Sequence, residues 1–236
     1  MKYHSLSVLC LSSFAFLCAL LIFTGTPRET SAQTLDPYYT TLNQYNRLKP
    51  LQNPQWRRFS DVQRHRVTDS GNRVVGNVQD ILVAPNGTIN AVNTNLNRLQ
   101  MGTISLNYSQ MQMRTGNDSY ILGMDSARLR ENSAMLMANI ETASGNGADI
   151  LALSSLIRAE VEADDGRRLG RVEEILMTSR RDRAAALLVR IDFRSVRSKS
   201  VAIPFSSVDF EPFGNGYKIK LADRQADIIL DYAAKM

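Results

Sequence analysis

The chain repeats itself, and this repeat constrains the fold more than any other feature of its 236 residues. Val75-Gly76-Asn77-Val78-Gln79-Asp80-Ile81-Leu82-Val83 lines up with Leu169-Gly170-Arg171-Val172-Glu173-Glu174-Ile175-Leu176-Met177 at an offset of 94. Just before these runs, Asp69-Ser70-Gly71 corresponds to Asp164-Asp165-Gly166. Further on, Leu106-Asn107-Tyr108-Ser109-Gln110-Met111 matches Ile203-Pro204-Phe205-Ser206-Ser207-Val208 at an offset of 97, and Tyr120-Ile121-Leu122 matches Tyr217-Lys218-Ile219 at the same offset. The difference of three places one small insertion inside the second copy. Apolar and polar classes agree along the paired runs. The chain therefore reads as two homologous domains, 67–141 and 156–236, joined by a linker, 142–155, that contains Ala143-Ser144-Gly145-Asn146-Gly147. A domain of this size buries only ~60–65% of its unfolded surface, which is a physical reason for the copies to pack together.

Within each copy the elements read as short strands. Leu156–Glu162 alternates, with Ile157, Ala159 and Val161 on one face and Arg158, Glu160 and Glu162 on the other. Asp165-Gly166 is a turn, and Val172, Ile175 and Met177 belong to the next strand. Ala184–Ile191 is nearly continuous in apolar residues and suits a central strand. Val201, Ile203 and Phe205 alternate, and Pro204 marks an edge or a bulge. Asn86-Gly87 and Asn215-Gly216 are hairpin signals. Gly76 and Gly170 hold equivalent places, where a special backbone angle or close packing is expected. A helix ends each copy: Asp125 is placed to cap Ser126–Ile140, and Asp223 to cap Arg224–Lys235. The fold class is mainly β, with two tandem small β-barrels, each closing with a C-terminal helix.

The second copy resembles the PRC-barrel domain. The resemblance rests on Leu153-Ser154-Ser155-Leu156-Ile157-Arg158-Ala159-Glu160-Val161, on Asp165-Gly166-Arg167-Arg168-Leu169-Gly170-Arg171-Val172-Glu173-Glu174-Ile175-Leu176, and on Val201-Ala202-Ile203-Pro204-Phe205-Ser206-Ser207-Val208. It covers 156–236 and extends to 67–141 through the repeat, where Asn107 and Tyr108 stand in place of the Pro204-Phe205 pair. The family includes the barrel of the photosynthetic reaction-centre H subunit and the C-terminal domain of the ribosome maturation factor. It implies a fold and a tendency to bind other proteins, without fixing a function.

Residues 1–32 read as a secretory signal peptide or signal anchor. Lys2 precedes the apolar run Leu6–Phe23, and Gly25, Pro27 and Thr30-Ser31-Ala32 follow it, with cleavage expected after Ala32. The remainder is then periplasmic or secreted, or anchored in the inner membrane facing the periplasm. Both cysteines, Cys10 and Cys18, fall within this segment. The mature chain therefore has no disulfide, no thiolate nucleophile and no Cys-ligated metal. Export without disulfides points to a bacterial envelope.

The mature chain holds one histidine, His65, between Arg64 and Arg66, with no cysteine or second histidine to partner it. Neighbouring carboxylates such as Asp164-Asp165 and Glu173-Glu174 point to opposite faces of a strand. There is no phosphate loop, dinucleotide fingerprint, zinc spacing or calcium loop. The chain reads as a non-enzyme without cofactor, catalytic residue or metal ligand.

Charge singles out two places. Residues 33–66 carry six basic and two acidic side chains, whereas 67–236 carries twenty of each, so the mature excess of +4 lies in the first segment. This segment reads as a basic polar tether whose Arg47, Lys49, Trp56, Arg57 and Arg58 form an arm for an anionic membrane surface or cell-wall polymer. The second cluster, Arg180, Arg181, Arg183, Arg194, Arg197 and Lys199, is a candidate docking patch for an acidic protein partner. Nucleic acid is not expected, because the compartment is wrong and aromatic interleaving is absent. The expected function is a non-catalytic binding or scaffold protein of the cell envelope that acts through protein–protein contacts, with self-association left open. The alternative is a membrane-anchored accessory subunit of a larger complex, photosynthetic or electron-transferring, like a reaction-centre H subunit.

Overall fold

A computed structural model describes residues 36–132, 150–193, 196 and 198–236. The protein is mainly β, with two seven-stranded sheets and a C-terminal helix, all within the compact unit 35–236. The first sheet contains β2 (Arg66–Thr68), β3 (Val74–Val83), β4 (Ile89–Asn95), β5 (Thr103–Asn107), β6 (Arg114–Thr115) and β7 (Ser119–Ile121) in the order β5-β4-β3-β2-β7-β6, and β8 (Leu151–Ala152) pairs with β3. The second contains β9 (Glu160–Ala163), β10 (Arg168–Thr178), β11 (Ala184–Ile191), β12 (Lys199–Pro204), β13 (Asp209–Phe213) and β14 (Gly216–Leu221) in the order β12-β11-β10-β9-β14-β13, and β1 (Trp56–Arg58) pairs with β10.

The two sheets agree strand by strand. In each, one parallel pair, β2 with β7 or β9 with β14, joins otherwise antiparallel neighbours. Each long strand slips register twice against its hairpin partner. The slips fall at Val78/Asp80 and Leu82/Val83 in β3, and at Val172/Glu174 and Leu176/Met177 in β10, again 94 residues apart. The bulge shifts the alternation, so Val172, Ile175 and Met177 all enter the main core. That core runs through both sheets, from Val67, Val78 and Ile81 to Val161, Ile175 and Leu187.

Gly76 and Gly170 hold equivalent places on β3 and β10, each pressed close against the backbone of the neighbouring strand. A Cβ built on Gly76 would lie 2.0 Å from the Asn95 carbonyl oxygen, and one on Gly170 would lie 1.9 Å from that of Arg190. Close packing, and not a positive φ, is what requires glycine there.

Several boundaries differ from the sequence reading. The strand expected over 156–162 begins at Glu160, because Leu153–Leu156 forms a short helix and Arg158 turns the chain at φ 68°. The last hairpin turns at Gly214, φ 60°, one residue ahead of the Asn215-Gly216 signal, since Phe213 already faces Gly216. Asp125 caps its helix as expected by accepting from the Ala127 and Arg128 N–H groups at 3.0 and 2.9 Å. That helix is described over Ser126–Glu131, and the remainder of its expected span, to Ile140, lies outside the described residues, as do most of the expected linker's. Asp223 is the first residue of the C-terminal helix Asp223–Lys235, and its carboxylate accepts from the Asp165 N–H, 2.9 Å away.

The largest correction concerns 33–66. This segment is not a tether where it is described. Asp36 caps a helix, α1 (Pro37–Asn46), by accepting from the Tyr38 N–H at 2.8 Å, and Pro37 supplies the fixed φ of a first helical residue. Asp36 also pairs with Arg224 of the C-terminal helix at 2.5 Å, and Tyr39 packs edge-on against Tyr232. Leu42 and Asn46, one turn apart, are buried. The Asn46 carboxamide donates to the Ala202 carbonyl and accepts from the Ala202 N–H, both at 2.8 Å, which occupies the open edge of β12. Tyr45 and Trp56 cover Leu176, Ala186, Leu188 and Ala202 on the outer face of the second sheet.

Candidate binding surface

The site begins with the pairing of β1 and β10. Their register sets Trp56 opposite Thr178 and Arg57 opposite Met177. The tip of the β10–β11 hairpin, which carries Arg180, Arg181 and Arg183, therefore lies beside β1, which carries Arg57 and Arg58, while Arg47 and Lys49 follow Asn46 on the connection that leads into β1 from β12. Two basic segments more than a hundred residues apart in the chain thus become neighbours. Arg57 is close enough for its charge to act on Arg181.

Arg47, Lys49, Arg57, Arg58, Arg180 and Arg183 are exposed. Among the described residues none of these six makes an ion pair, whereas Arg73, Arg167, Lys220 and Arg224 do. Two of the six donate to backbone carbonyls: Arg57 to Trp56 O at 3.1 Å, and Arg183 to Asn86 O at 2.8 Å. The Arg183 contact ties the second hairpin tip to the first, beside an antiparallel bridge between Thr88 and Arg183.

Two expected members turn inward. Trp56 is no interfacial anchor. Its ring stacks on Tyr45 with centroids 5.3 Å apart, and its Nε1 is buried without a hydrogen-bond partner. Arg181 is no docking residue, being 4% exposed. Its φ of 55° aims the side chain into the first copy, where its Nη1 donates to the Asn117 carbonyl and meets His65 Nδ1 at 3.1 Å. The Arg181 carbonyl in turn accepts from the Tyr120 hydroxyl at 2.8 Å. Burial and the neighbouring Arg57 lower the Arg181 pKa, and its Nε has no partner.

His65 is accordingly half-buried and facing a partner, not a solvated loop residue. Burial first, and then the Arg181 charge, push its pKa below the ordinary histidine value, while Asp118 and Asp61 pull the other way. With the ring neutral, Nδ1 is able to accept from the Arg181 guanidinium.

The remaining members of the second cluster separate. Lys199 faces Ile191 at the far end of β11, seven residues or roughly 23 Å along the strand from the hairpin tip. Arg194 and Arg197 lie outside the described residues.

Sequence reasoning missed the pairing of the two basic segments, and a signal for it existed. Ile175-Leu176-Met177 and Ala184–Ile191 are apolar on both faces, so the second sheet needs an outer cover. Residues 36–58 supply that cover.

Residues 148–219 match the PRC-barrel domain. The PRC-barrel match takes in β8 and β9 through β13 and most of β14, and it stops before the C-terminal helix. Strands β2 to β7 of the first sheet, in the same order as those of the second, lie outside the matched range. No curated protein matches the chain.

Around the PRC-barrel segment, as elsewhere among the described residues, no three His, Cys, Asp or Glu side chains are grouped to hold a metal ion. No described helix is long and apolar enough to cross a membrane, and the run Leu6–Phe23 lies outside the described residues.

Proposed function

We infer that the chain is a non-catalytic binding protein of the bacterial cell envelope, in which two tandem PRC-like barrels, each a closed sheet, form one scaffold behind an N-terminal signal segment. Its working surface is the basic region around β1 and the β10–β11 hairpin tip, with Arg57, Arg58, Arg180 and Arg183, together with Arg47 and Lys49 on the connection leading into β1. The observation that carries this reading is the β1–β10 register. It gathers cations from two distant segments, and no carboxylate among the described residues pairs with them. Such an arrangement raises the potential at one place and favours acidic partners. The absence of a cysteine or a second histidine from the mature sequence supports binding over catalysis.

A photo-crosslinking residue placed at Arg57 or Arg180 should capture one partner in the native envelope, and one placed at Arg167, on the opposite hairpin of the second sheet, should not. Equal capture from both positions overturns the assignment of the face.

The second reading is an accessory subunit held in the membrane by Leu6–Phe23, favoured by that apolar run and by the resemblance to the H-subunit barrel. The intact mass of the envelope form separates the two. A chain starting at Gln33 supports the released module, and one retaining residues 1–32 supports the anchored subunit.

A further inference from the structure

We propose that the connection between α1 and β1 is a membrane-contact loop, in which Leu48 and Leu51 enter the acyl boundary of an anionic bilayer while Arg47, Lys49, Arg57 and Arg58 engage its headgroups. This rests on the basic face as the working surface and names its partner. Leu48 is 56% exposed and Leu51 44%. The other large exposed apolar residues among those described are Phe213 and Met236, and the Phe213 ring lies beneath the Lys218 ammonium at 4.4 Å. The two leucines thus stand three positions apart on the connection that also carries Arg47 and Lys49.

The loop is held in shape before any partner arrives. Pro50 and Asn53 are buried, the Gln52 N–H donates to Lys49 O at 2.8 Å, and Asn53 Oδ1 accepts from the Gln55 N–H at 2.9 Å. Behind it, the Tyr45–Trp56 stack fixes both ends to the sheet. Presenting the leucines therefore costs little further ordering.

The charge selects the occupant. An anionic polymer would need only the cations, and it leaves two leucines in water. A bilayer with anionic headgroups satisfies both groups at once, and two such signals together give firmer attachment than either alone. The Debye length of ~8 Å at physiological salt confines the electrostatic part to direct contact.

The test uses the chain beginning at Gln33, since 35–236 is one compact unit. It is sedimented with vesicles of phosphatidylglycerol and phosphatidylcholine at low and high salt, and mixed separately with soluble polyphosphate. Wild type should bind the vesicles and keep a salt-resistant fraction. The L48S/L51S variant, with an unchanged melting curve, should partition about tenfold more weakly and lose that fraction. R47Q/K49Q/R57Q/R58Q should lose most low-salt binding. If L48S/L51S binds vesicles as wild type does while polyphosphate still binds, the membrane assignment is overturned and the basic face stands. If wild type binds neither vesicles nor polyphosphate, both fail.

Discussion

Ser60 and Glu174 lie 114 residues apart, yet the serine donates its hydroxyl to Glu174 Oε2 at 2.5 Å and its N–H to Oε1 at 3.4 Å. The equivalent pair repeats the bond. Ser154 donates its hydroxyl and N–H to Asp80 at 2.5 and 3.1 Å. Each serine sits in a one-turn helix, Phe59–Val62 or Leu153–Leu156, that precedes one copy's strands. Each carboxylate sits at the bulge of the other copy's long strand, where it also accepts from the next backbone N–H. The leading arms are exchanged: β1 precedes the first sheet and pairs in the second, and β8 precedes the second and pairs in the first. Ser60→Ala and Ser154→Ala should each lower stability by about 1 kcal/mol, as measured by urea unfolding, with nearly additive effects. Two unchanged transitions would mean that the arms are held by packing alone.

Removing residues 33–58 should not yield a well-behaved core protein. The deletion uncovers Leu176, Ala186, Leu188 and Ala202, and it frees the edge of β12 that Asn46 now occupies. Size-exclusion chromatography should show aggregates. A monomer that melts as the intact chain does would show that the segment is, after all, a dispensable tether.

Gly170→Val sets a branched side chain against the Arg190 carbonyl, where even a Cβ lies at 1.9 Å. The β10–β11 pairing must open to admit it, at a cost of about 3 kcal/mol. For a chain of this size that is a fall in melting temperature of roughly 6–12 °C. Gly76→Val should behave alike, because the Asn95 carbonyl is 2.0 Å from its Cβ. Gly166→Ala is the contrast. Its Cβ meets nothing within 4 Å, and only its φ of 85° is unfavourable, so the loss should be nearer ~1 kcal/mol.

The His65–Arg181 contact makes stability depend on pH in a definite direction. The folded pKa of His65 is lowered by burial and by Arg181, against the pull of Asp118 and Asp61. The unfolded chain therefore takes up a proton first. The stabilisation is complete above the unfolded histidine value of ~6.5 and is lost as pH falls through and below it. Between pH ~7 and ~5 the wild-type melting temperature should decline more steeply than that of His65→Gln, whose carboxamide oxygen is still able to accept from Arg181. Parallel curves would remove the histidine from the account.

How much of this was legible depends on which residues must meet. The Gly76–Gly170 equivalence, the Asn86-Gly87 turn and the Asp125 cap could be read from sequence, because each depends on neighbours within a few positions or on the repeat. The inward course of Arg181 could not. Its counterpart by the same register is Gly87, so the repeat suggests a turn residue at a hairpin tip and nothing more. Only the packing of the tip against Asn117 and His65 turns a surface charge into a buried one.

The sequence by itself determined the two sets of strands, the equivalence of Gly76 and Gly170 and the basic excess of residues 33–66, since periodicity, glycine positions and charge are local properties of a chain. Tertiary structure alone decided that the basic segment is docked, that its cations join those of a distant hairpin, and that each copy's leading arm lies on the other. The physical reason is that an apolar sheet face or an open strand edge requires some cover without specifying which segment supplies it. Here Asn46, Tyr45 and Trp56 meet that requirement for the second sheet through a carboxamide on Ala202 and a stacked pair of rings, contacts that span more than a hundred residues of chain.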